Sequence, residues 1–313
     1  MQRRTFLLGA GTAAALAACG SSGTTSTTTA PASTTSTVDP ALSTPVTLPA
    51  DGLPPFPEPG QTGLGARFPD GFRTPNTAFV AGTETRAPYV AIDANGQPLT
   101  GDAPDTITVA VQFEGEVIHT ERITVRGKGE FTPYYPVTFT PAETGDYAMT
   151  SDFSDVPAWF RVATATEVLV PQIGAALPGF DTPTFTDGAG VDPICTFDPE
   201  PCPFHEVTLT NALGSGKTAF LIATPAYCQT DTCGPSVDYF VELAADFPDI
   251  TFVHAEVYAA DINEAGPVLA PVVSAYQMPW EPAMWVTDAN GTIVSALHFA
   301  MARDDMRAAL GRA

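Results

Sequence analysis

The sequence predicts two folded regions, an all-β sandwich followed by an α/β region. The first region carries about seven short β-rich runs within about 100 residues and has no stretch with the helical period. The second alternates short apolar runs with amphipathic stretches, as strands and helices do in α/β proteins. A chain of 313 residues, 44% of them hydrophobic, is long enough for both regions and a leader.

Residues 1–19 have the composition of an export signal. Two arginines, Arg3 and Arg4, precede the apolar stretch Phe6–Ala18, which is short for a membrane span. The paired arginines and the following Thr-Phe-Leu resemble a twin-arginine signal, and the letters LAAC, ending at Cys19, resemble a bacterial lipobox. The resemblance implies lipidation of Cys19 and anchoring at the extracytoplasmic face of the cell membrane. A signal peptide with an unmodified cysteine is the alternative.

Residues 20–60 form the predicted linker. They are rich in Thr, Ser, Pro and Ala and poor in large apolar side chains. Such a segment cannot bury enough surface to offset the entropy lost on ordering. We therefore expect a disordered tether between the anchor and the folded regions.

The net charge of −22 limits the partners of the protein. With 13 Lys and Arg against 35 Asp and Glu, the chain has no basic surface for a phosphate backbone, so we expect no nucleic acid partner. An anionic membrane surface would also repel the chain, so we expect membrane contact through the lipid anchor only.

Residues 61–166 form the predicted β-sandwich. Its strand-like runs include APYVAID, TITVAVQF, EVIHTERITVR and DYAMT, and turn pairs such as Asn95-Gly96 separate several of them. The stretch AETGDYAM resembles the turn and tyrosine of immunoglobulin-like domains, with Tyr147 as the tyrosine. No constellation of catalytic residues is visible here, so we interpret this region as a spacer or docking module.

Residues 167–313 form the predicted α/β region. In chain order we expect a strand in TEVLVP, a Pro-rich loop, a helix in HEVTLTNAL, a strand in TAFLIAT, a helix in PSVDYFVELAADF and a strand in ITFVHAEVY. A helix in VLAPVVSAYQM, a hairpin from AMWVTD and TIVSALHF, and a helix in ARDDMRAALGR complete the order. The order resembles the thioredoxin fold.

Two cysteines, Cys228 and Cys233, lie between the second strand and the second helix, where thioredoxins keep their redox pair. The resemblance implies dithiol–disulfide exchange with exported proteins or small thiols, without a cofactor. Cys228, which follows Tyr227, would be the attacking thiol and Cys233 the resolving one. Pro282 would be the cis-proline that shapes the substrate groove, after a cis Glu281-Pro282 bond. If the two cysteines are bonded, the helix must begin after Cys228, because five residues of helix separate Cα atoms by roughly 8.6 Å.

Three alternatives to this interpretation stay open. The stretch TPAYCQTDTCG has the four-residue cysteine spacing of Q-type peroxiredoxins, although the arginines of this region, Arg303, Arg307 and Arg312, all lie in the last helix. The pair could instead be a structural staple in a non-catalytic binding protein. With His254 it could bind copper, as in Sco proteins.

The other two cysteines, Cys195 and Cys202, lie in the Pro-rich loop. Apart from Cys19 the chain has four cysteines, which allow three pairings in an exported protein. Pairing of sequence neighbours is the simplest, so we predict a structural Cys195–Cys202 disulfide and no metal. Glu256, on a predicted central strand, is a weak candidate for a proton-transfer acid.

Overall fold

Seven antiparallel strands build the first half of the described chain. The structure is a computed structural model that describes residues 40–48, 57–67, 78–228, 231–278 and 280–313. The export signal with Cys19 and much of the predicted linker lie outside these residues. The strands are β1 Gly63–Ala66, β2 Thr85–Ile92, β3 Thr106–Phe113, β4 Glu116–Thr124, β5 Tyr135–Phe139, β6 Gly145–Ser151 and β7 Ala158–Val162.

These strands form two sheets that share one apolar core. One sheet has the order β1-β2-β5 and the other β4-β3-β6-β7. Alternate residues of β3, such as Ile107, Val109 and Val111, face the core. Tyr147 is buried there, and its hydroxyl donates to the Glu143 carbonyl at 2.7 Å. The predicted all-β region is therefore present, and its likeness to immunoglobulin domains stays a prediction.

Residues 40–48 differ from the disordered tether that their composition predicts. Leu42 is buried, and the Gln112 side-chain amide donates to the carbonyls of Leu42 and Thr44 at 3.2 and 3.0 Å. The backbone N–H of Val46 donates to the Gln112 carbonyl oxygen at 2.9 Å. The buried side chain of Gln112 thus forms hydrogen bonds with three backbone groups of this segment. Composition does not predict such a tertiary contact.

The second half contains the predicted mixture of helices and strands. A four-stranded sheet has the order β11-β10-β8-β9, in which β8 and β9 are parallel and the other pairs antiparallel. From the first helix onward, and apart from one additional short helix, the order of elements along the chain agrees with the predicted thioredoxin-like arrangement. The elements are α1 Leu209–Leu213, β8 Lys217–Ile222, α2 Cys233–Ala244, β9 Ile250–Ala255, α3 Ile262–Ala265, α4 Pro271–Ala275, β10 Ala283–Thr287, β11 Ile293–His298 and α5 Arg303–Leu310.

Two predicted elements of this half differ from the structure. TEVLVP is not a strand: Val168 and Val170 are buried, but the Val168 carbonyl accepts from the Gln172 side chain at 2.7 Å rather than from a neighbouring strand. The apolar residues of TEVLVP therefore indicated that the segment is buried, but they did not indicate that it pairs with a strand. The helix expected across Pro271 begins at Pro271, since a proline lacks the N–H that a helix interior needs.

The two halves meet through a buried ion pair. Arg86 Nη2 lies 2.6 Å from Asp305 Oδ2 and also donates to the Tyr134 hydroxyl at 3.0 Å. The described residues of Val38–Ala313 belong to one compact unit. In the part of the chain that the structure describes, no helix has the length and apolar character needed to cross a membrane.

Candidate active site

The candidate site is a disulfide between Cys228 and Cys233, with a Cα–Cα distance of 6.0 Å. β8 is buried from Thr218 to Ile222, and the chain reaches Cys228 six residues after its end. The helix α2 begins at Cys233, with Thr232 as its N-cap. The expectation that a bonded pair requires the helix to begin after Cys228 is confirmed.

The two sulfur-bearing residues differ in exposure. Cys228 is half-buried, whereas Cys233 is fully buried in the apolar core with Val237 and Phe240. An external thiolate therefore has access to Cys228 first. Cys233 is the first residue of α2, where the positive end of the helix dipole favours a thiolate when the disulfide opens.

Glu281, the residue before Pro282, lies beside this disulfide. The Glu281-Pro282 peptide bond is cis, as predicted. Glu281 Oε2 lies 3.7 Å from Cys233 Sγ, and the Tyr258 hydroxyl donates to Glu281 Oε1 at 3.5 Å. From the sequence, Glu281 was identifiable only as the residue before the proline, and its position beside the sulfur was missed.

The environment of Glu281 favours its protonated form. Burial, aided by the negative charge of Glu256, raises the pKa of Glu281 to about 7. Hydrogen bonds from Tyr258 and from the Thr224 backbone oppose this rise without cancelling it. A carboxyl group with this pKa can donate or accept a proton near neutral pH. Glu256, the weaker candidate, instead accepts hydrogen bonds from the Thr196 N–H and hydroxyl at 2.6 and 3.0 Å.

The loop before α2 is fastened to the first half of the chain. Asp231 Oδ1 lies 2.8 Å from Arg67 Nη2, and the Thr132 N–H and hydroxyl donate to Asp231 Oδ2 at 2.6 and 2.5 Å. Burial would raise the pKa of Asp231, but these partners outweigh it and lower the pKa. The first half therefore holds the residue two positions before Cys233, and its role as a spacer or docking module stays a prediction.

The arginine that peroxiredoxins need near their nucleophile is not supplied by the last helix. Arg303 pairs with Glu242 at 2.6 Å, and Arg307 pairs with Asp246 at 2.7 Å. Arg312 extends to Glu84 at 2.6 Å. These pairs engage all three guanidinium groups in surface contacts.

The predicted Cys195–Cys202 disulfide is absent, which corrects the sequence analysis. Both residues are free, buried thiols. Cys202 Sγ lies 3.5 Å from His205 Nε2 and 3.4 Å from His254 Nδ1. His254 therefore groups with these thiols and not with Cys228 and Cys233, where the copper alternative placed it. The Cys-Pro-Phe-His run at 202–205, which places a histidine three residues after a cysteine, was the sequence feature that could have indicated this cluster.

Each thiol changes the acidity of the other in this cluster. A hydrogen bond from Cys202 holds the pKa of the Cys195 thiol well below its ordinary value, and the same bond, with burial, raises the pKa of Cys202. Burial alone would lower the pKa of His254. The hydrogen bond between His254 and Cys195 and the negative charge of Cys195 outweigh this effect and raise the pKa. These groups therefore share their protons as one unit.

Comparison with known proteins gives partial structural matches only. No family profile and no curated protein matches the chain. A thioredoxin cysteine-to-serine mutant from Entamoeba histolytica shares 19% identity over 34% of this chain and 90% of its own, with a TM-score of 0.25. A protein described as thiol:disulfide interchange protein DsbE from Chlorobium tepidum shares 16% sequence identity over 45% of this chain and 99% of its own, with a TM-score of 0.32. The Lin-41 filamin domain shares 14% sequence identity over 36% of this chain and 98% of its own, with a TM-score of 0.21. The structural neighbours thus include thioredoxin-like proteins, and similarities this weak carry no information about activity.

Proposed function

We propose that this protein catalyses thiol–disulfide exchange through Cys228 and Cys233, on exported proteins or small thiols. The observation that carries the proposal is the asymmetry of the disulfide. One sulfur-bearing residue is half-exposed, and the other is buried at the start of a helix beside a protonatable carboxyl group. A bond that only braced a turn would need neither the helix terminus nor the carboxyl group.

The reaction follows from these positions. A substrate thiolate attacks Cys228 Sγ, a mixed disulfide forms, and the Cys228–Cys233 bond breaks. Cys233 leaves as a thiolate, which the adjacent α2 N-terminus stabilises and the Glu281 carboxylic acid protonates. The second substrate thiolate then attacks the substrate sulfur of the mixed disulfide, so that Cys228 leaves as a thiolate. The substrate has lost two electrons and the protein has become a dithiol. In the reverse direction, Glu281 as a carboxylate takes the proton from Cys233.

Reduction potential and turnover test the proposal together. We expect the wild-type chain to catalyse insulin reduction by dithiothreitol, and we expect Cys228→Ser and Cys233→Ser to abolish this activity. We also expect the Cys228–Cys233 potential to lie above about −300 mV, the region below which structural disulfides are found. No turnover, together with a pair that dithiothreitol reduces only on unfolding, would show that the bond is a staple. Peroxide consumption by the wild type that Cys228→Ser lacks would favour a peroxidase instead.

We further propose that lipidation of Cys19 anchors the protein at the extracytoplasmic membrane face, with an immunoglobulin-like module between the anchor and the redox half. The lipobox-like LAAC sequence and the strongly negative charge support this arrangement. Cells fed a labelled fatty acid should label the wild type and leave Cys19→Ala unlabelled. Equal labelling, or an unlabelled wild type, would contradict the anchor.

A further inference from the structure

We propose that Cys195, Cys202, His205 and His254 bind one zinc ion in a closed structural site, apart from the Cys228–Cys233 disulfide. All four residues are buried, with exposed fractions of 5%, 1%, 0% and 0%. Each offers one ligand atom, and the four atoms lie within 4.8 Å of one another. The cluster has no role in the exchange reaction.

The distances between these atoms are those of a tetrahedron around zinc. With Zn–S near 2.3 Å and Zn–N near 2.05 Å, tetrahedral angles place two nitrogens about 3.3 Å apart and a sulfur and a nitrogen about 3.6 Å apart. His254 Nδ1 and His205 Nε2 are 3.3 Å apart. Three of the four sulfur–nitrogen distances are 3.4, 3.5 and 3.6 Å, and the fourth, from Cys195 to His205, is within 4.8 Å. A Cys195–Cys202 bond would need the sulfurs about 2.05 Å apart and would leave no room for an ion between them.

The outward ring nitrogens of both histidines face backbone carbonyls. His254 Nε2 lies 3.0 Å from the Ala223 carbonyl oxygen, and His205 Nδ1 lies 3.3 Å from that of Pro183. A carbonyl only accepts, so these nitrogens carry the protons. In the neutral rings His254 Nδ1 and His205 Nε2 then carry lone pairs that both face the inside of the cluster, where one cation can accept them. The carbonyl contacts are those that orient a metal-binding imidazole.

The charges of the cluster also suit a divalent ion. Two thiolates and two neutral imidazoles around Zn²⁺ sum to zero, which limits the cost of burial. The sulfurs accept backbone hydrogen bonds, Cys195 Sγ from the Cys202 N–H at 3.4 Å and Cys202 Sγ from the Phe204 N–H. A tetrahedral set of two sulfurs and two nitrogens favours zinc, and four protein ligands leave no position for a substrate.

The site would fasten an irregular loop to the sheet. Cys195, Cys202 and His205 come from the loop, and His254 comes from β9, whose His254 N–H donates to the Phe204 carbonyl at 3.2 Å. The same loop holds Thr196, whose hydroxyl accepts from the Ala226 N–H at 3.1 Å, two residues before Cys228. A metal here would therefore stiffen the approach to the redox loop. The second cluster of possible ligands, Cys228, Cys233 and Glu281, is closed by its disulfide and offers no thiolates.

Metal content and cobalt spectroscopy of the full chain test the proposal. Protein purified without added metal or chelator should contain one zinc per chain, and so should the Cys228→Ser/Cys233→Ser control. Cys202→Ser and His254→Ala should lose most of it. Cobalt exchanged into the wild type and into the control should give the intense visible bands of a tetrahedral ion and a thiolate charge-transfer band. These two readouts on proteins with an intact cluster keep the test valid if a ligand variant does not fold.

Three results would overturn the proposal. One is a wild type without stoichiometric metal that takes up neither zinc nor cobalt after complete reduction. Another is one copper per chain in place of zinc. The third is a cobalt spectrum that disappears in the Cys228→Ser/Cys233→Ser control, since the metal would then lie at the redox pair.

Discussion

The Glu281 carboxylate lies 3.7 Å from Cys233 Sγ, the buried sulfur of the disulfide. It reaches this position from the residue before the cis-proline, on a different part of the chain from both cysteines. Burial raises the pKa of this group to about 7, so it can gain or lose a proton near neutral pH.

Glu281→Gln should change how exchange depends on pH. Below about pH 7 the carboxylic acid can protonate the Cys233 thiolate, whereas above it the carboxylate charge opposes that thiolate. The wild-type to variant ratio of disulfide-opening rates should therefore be highest in acid and fall through about pH 7. Stopped-flow rates with one small thiol measure this ratio and cancel the ionisation of the thiol itself. Glu264→Gln, an exposed carboxyl group nearby, is the control. A ratio that does not vary with pH would remove Glu281 from the proton transfer.

The same residue should make folding stability depend on pH. The folded pKa is raised from 4.5 to about 7, so the stabilising protonated form is fully present below about pH 4.5 and is lost as the pH rises toward 7. Compared with Glu281→Gln, the free energy of unfolding of the wild type should fall between about pH 4.5 and pH 7. Above pH 7 the difference between the two proteins should stay constant, with the wild type less stable than it is in acid relative to the variant. Urea unfolding with the disulfide intact checks this. Parallel stability curves would show that Glu281 titrates normally.

The two cysteines should differ in reactivity once separated. In Cys233→Ser, the half-buried Cys228 should react with iodoacetamide at least about tenfold faster than the buried Cys233 does in Cys228→Ser, because access limits alkylation. Mass spectrometry gives both rates. In urea the rates should become similar, which controls for intrinsic reactivity. Faster alkylation of Cys233 in the native protein would reverse the assigned roles.

The Arg86–Asp305 pair should contribute strongly to stability. The side chains are 11% and 12% exposed, so Arg86→Ala leaves a buried carboxylate without its partner, at a cost of about 3–5 kcal/mol. The Arg312–Glu84 pair is 47% and 42% exposed, and Arg312→Ala should cost less than about 1 kcal/mol. Denaturant unfolding compares them. Equal effects would mean that burial does not strengthen the Arg86–Asp305 contact.

Periodicity predicted most of the elements because it reports local burial. Alternating residues in β3 and the buried run of β8 predicted strands that are present. The same signal failed at TEVLVP, where Val168 and Val170 are buried without a partner strand. Burial can be read from a pattern of apolar side chains, whereas strand pairing depends on which backbone lies alongside.

The sequence, through its resemblance to thioredoxins, predicted where the Cys228–Cys233 pair lies and which proline follows a cis bond, and helix geometry predicted that a bonded pair places the helix start after Cys228, because these features depend on chain order and spacing. Tertiary structure alone decided the partners of the side chains. It placed Glu281 beside Cys233. It also brought His254 from β9 to Cys195 and Cys202, and it left these two cysteines without a disulfide between them. These contacts join residues 48 to 59 positions apart, and folding sets such distances while sequence spacing does not.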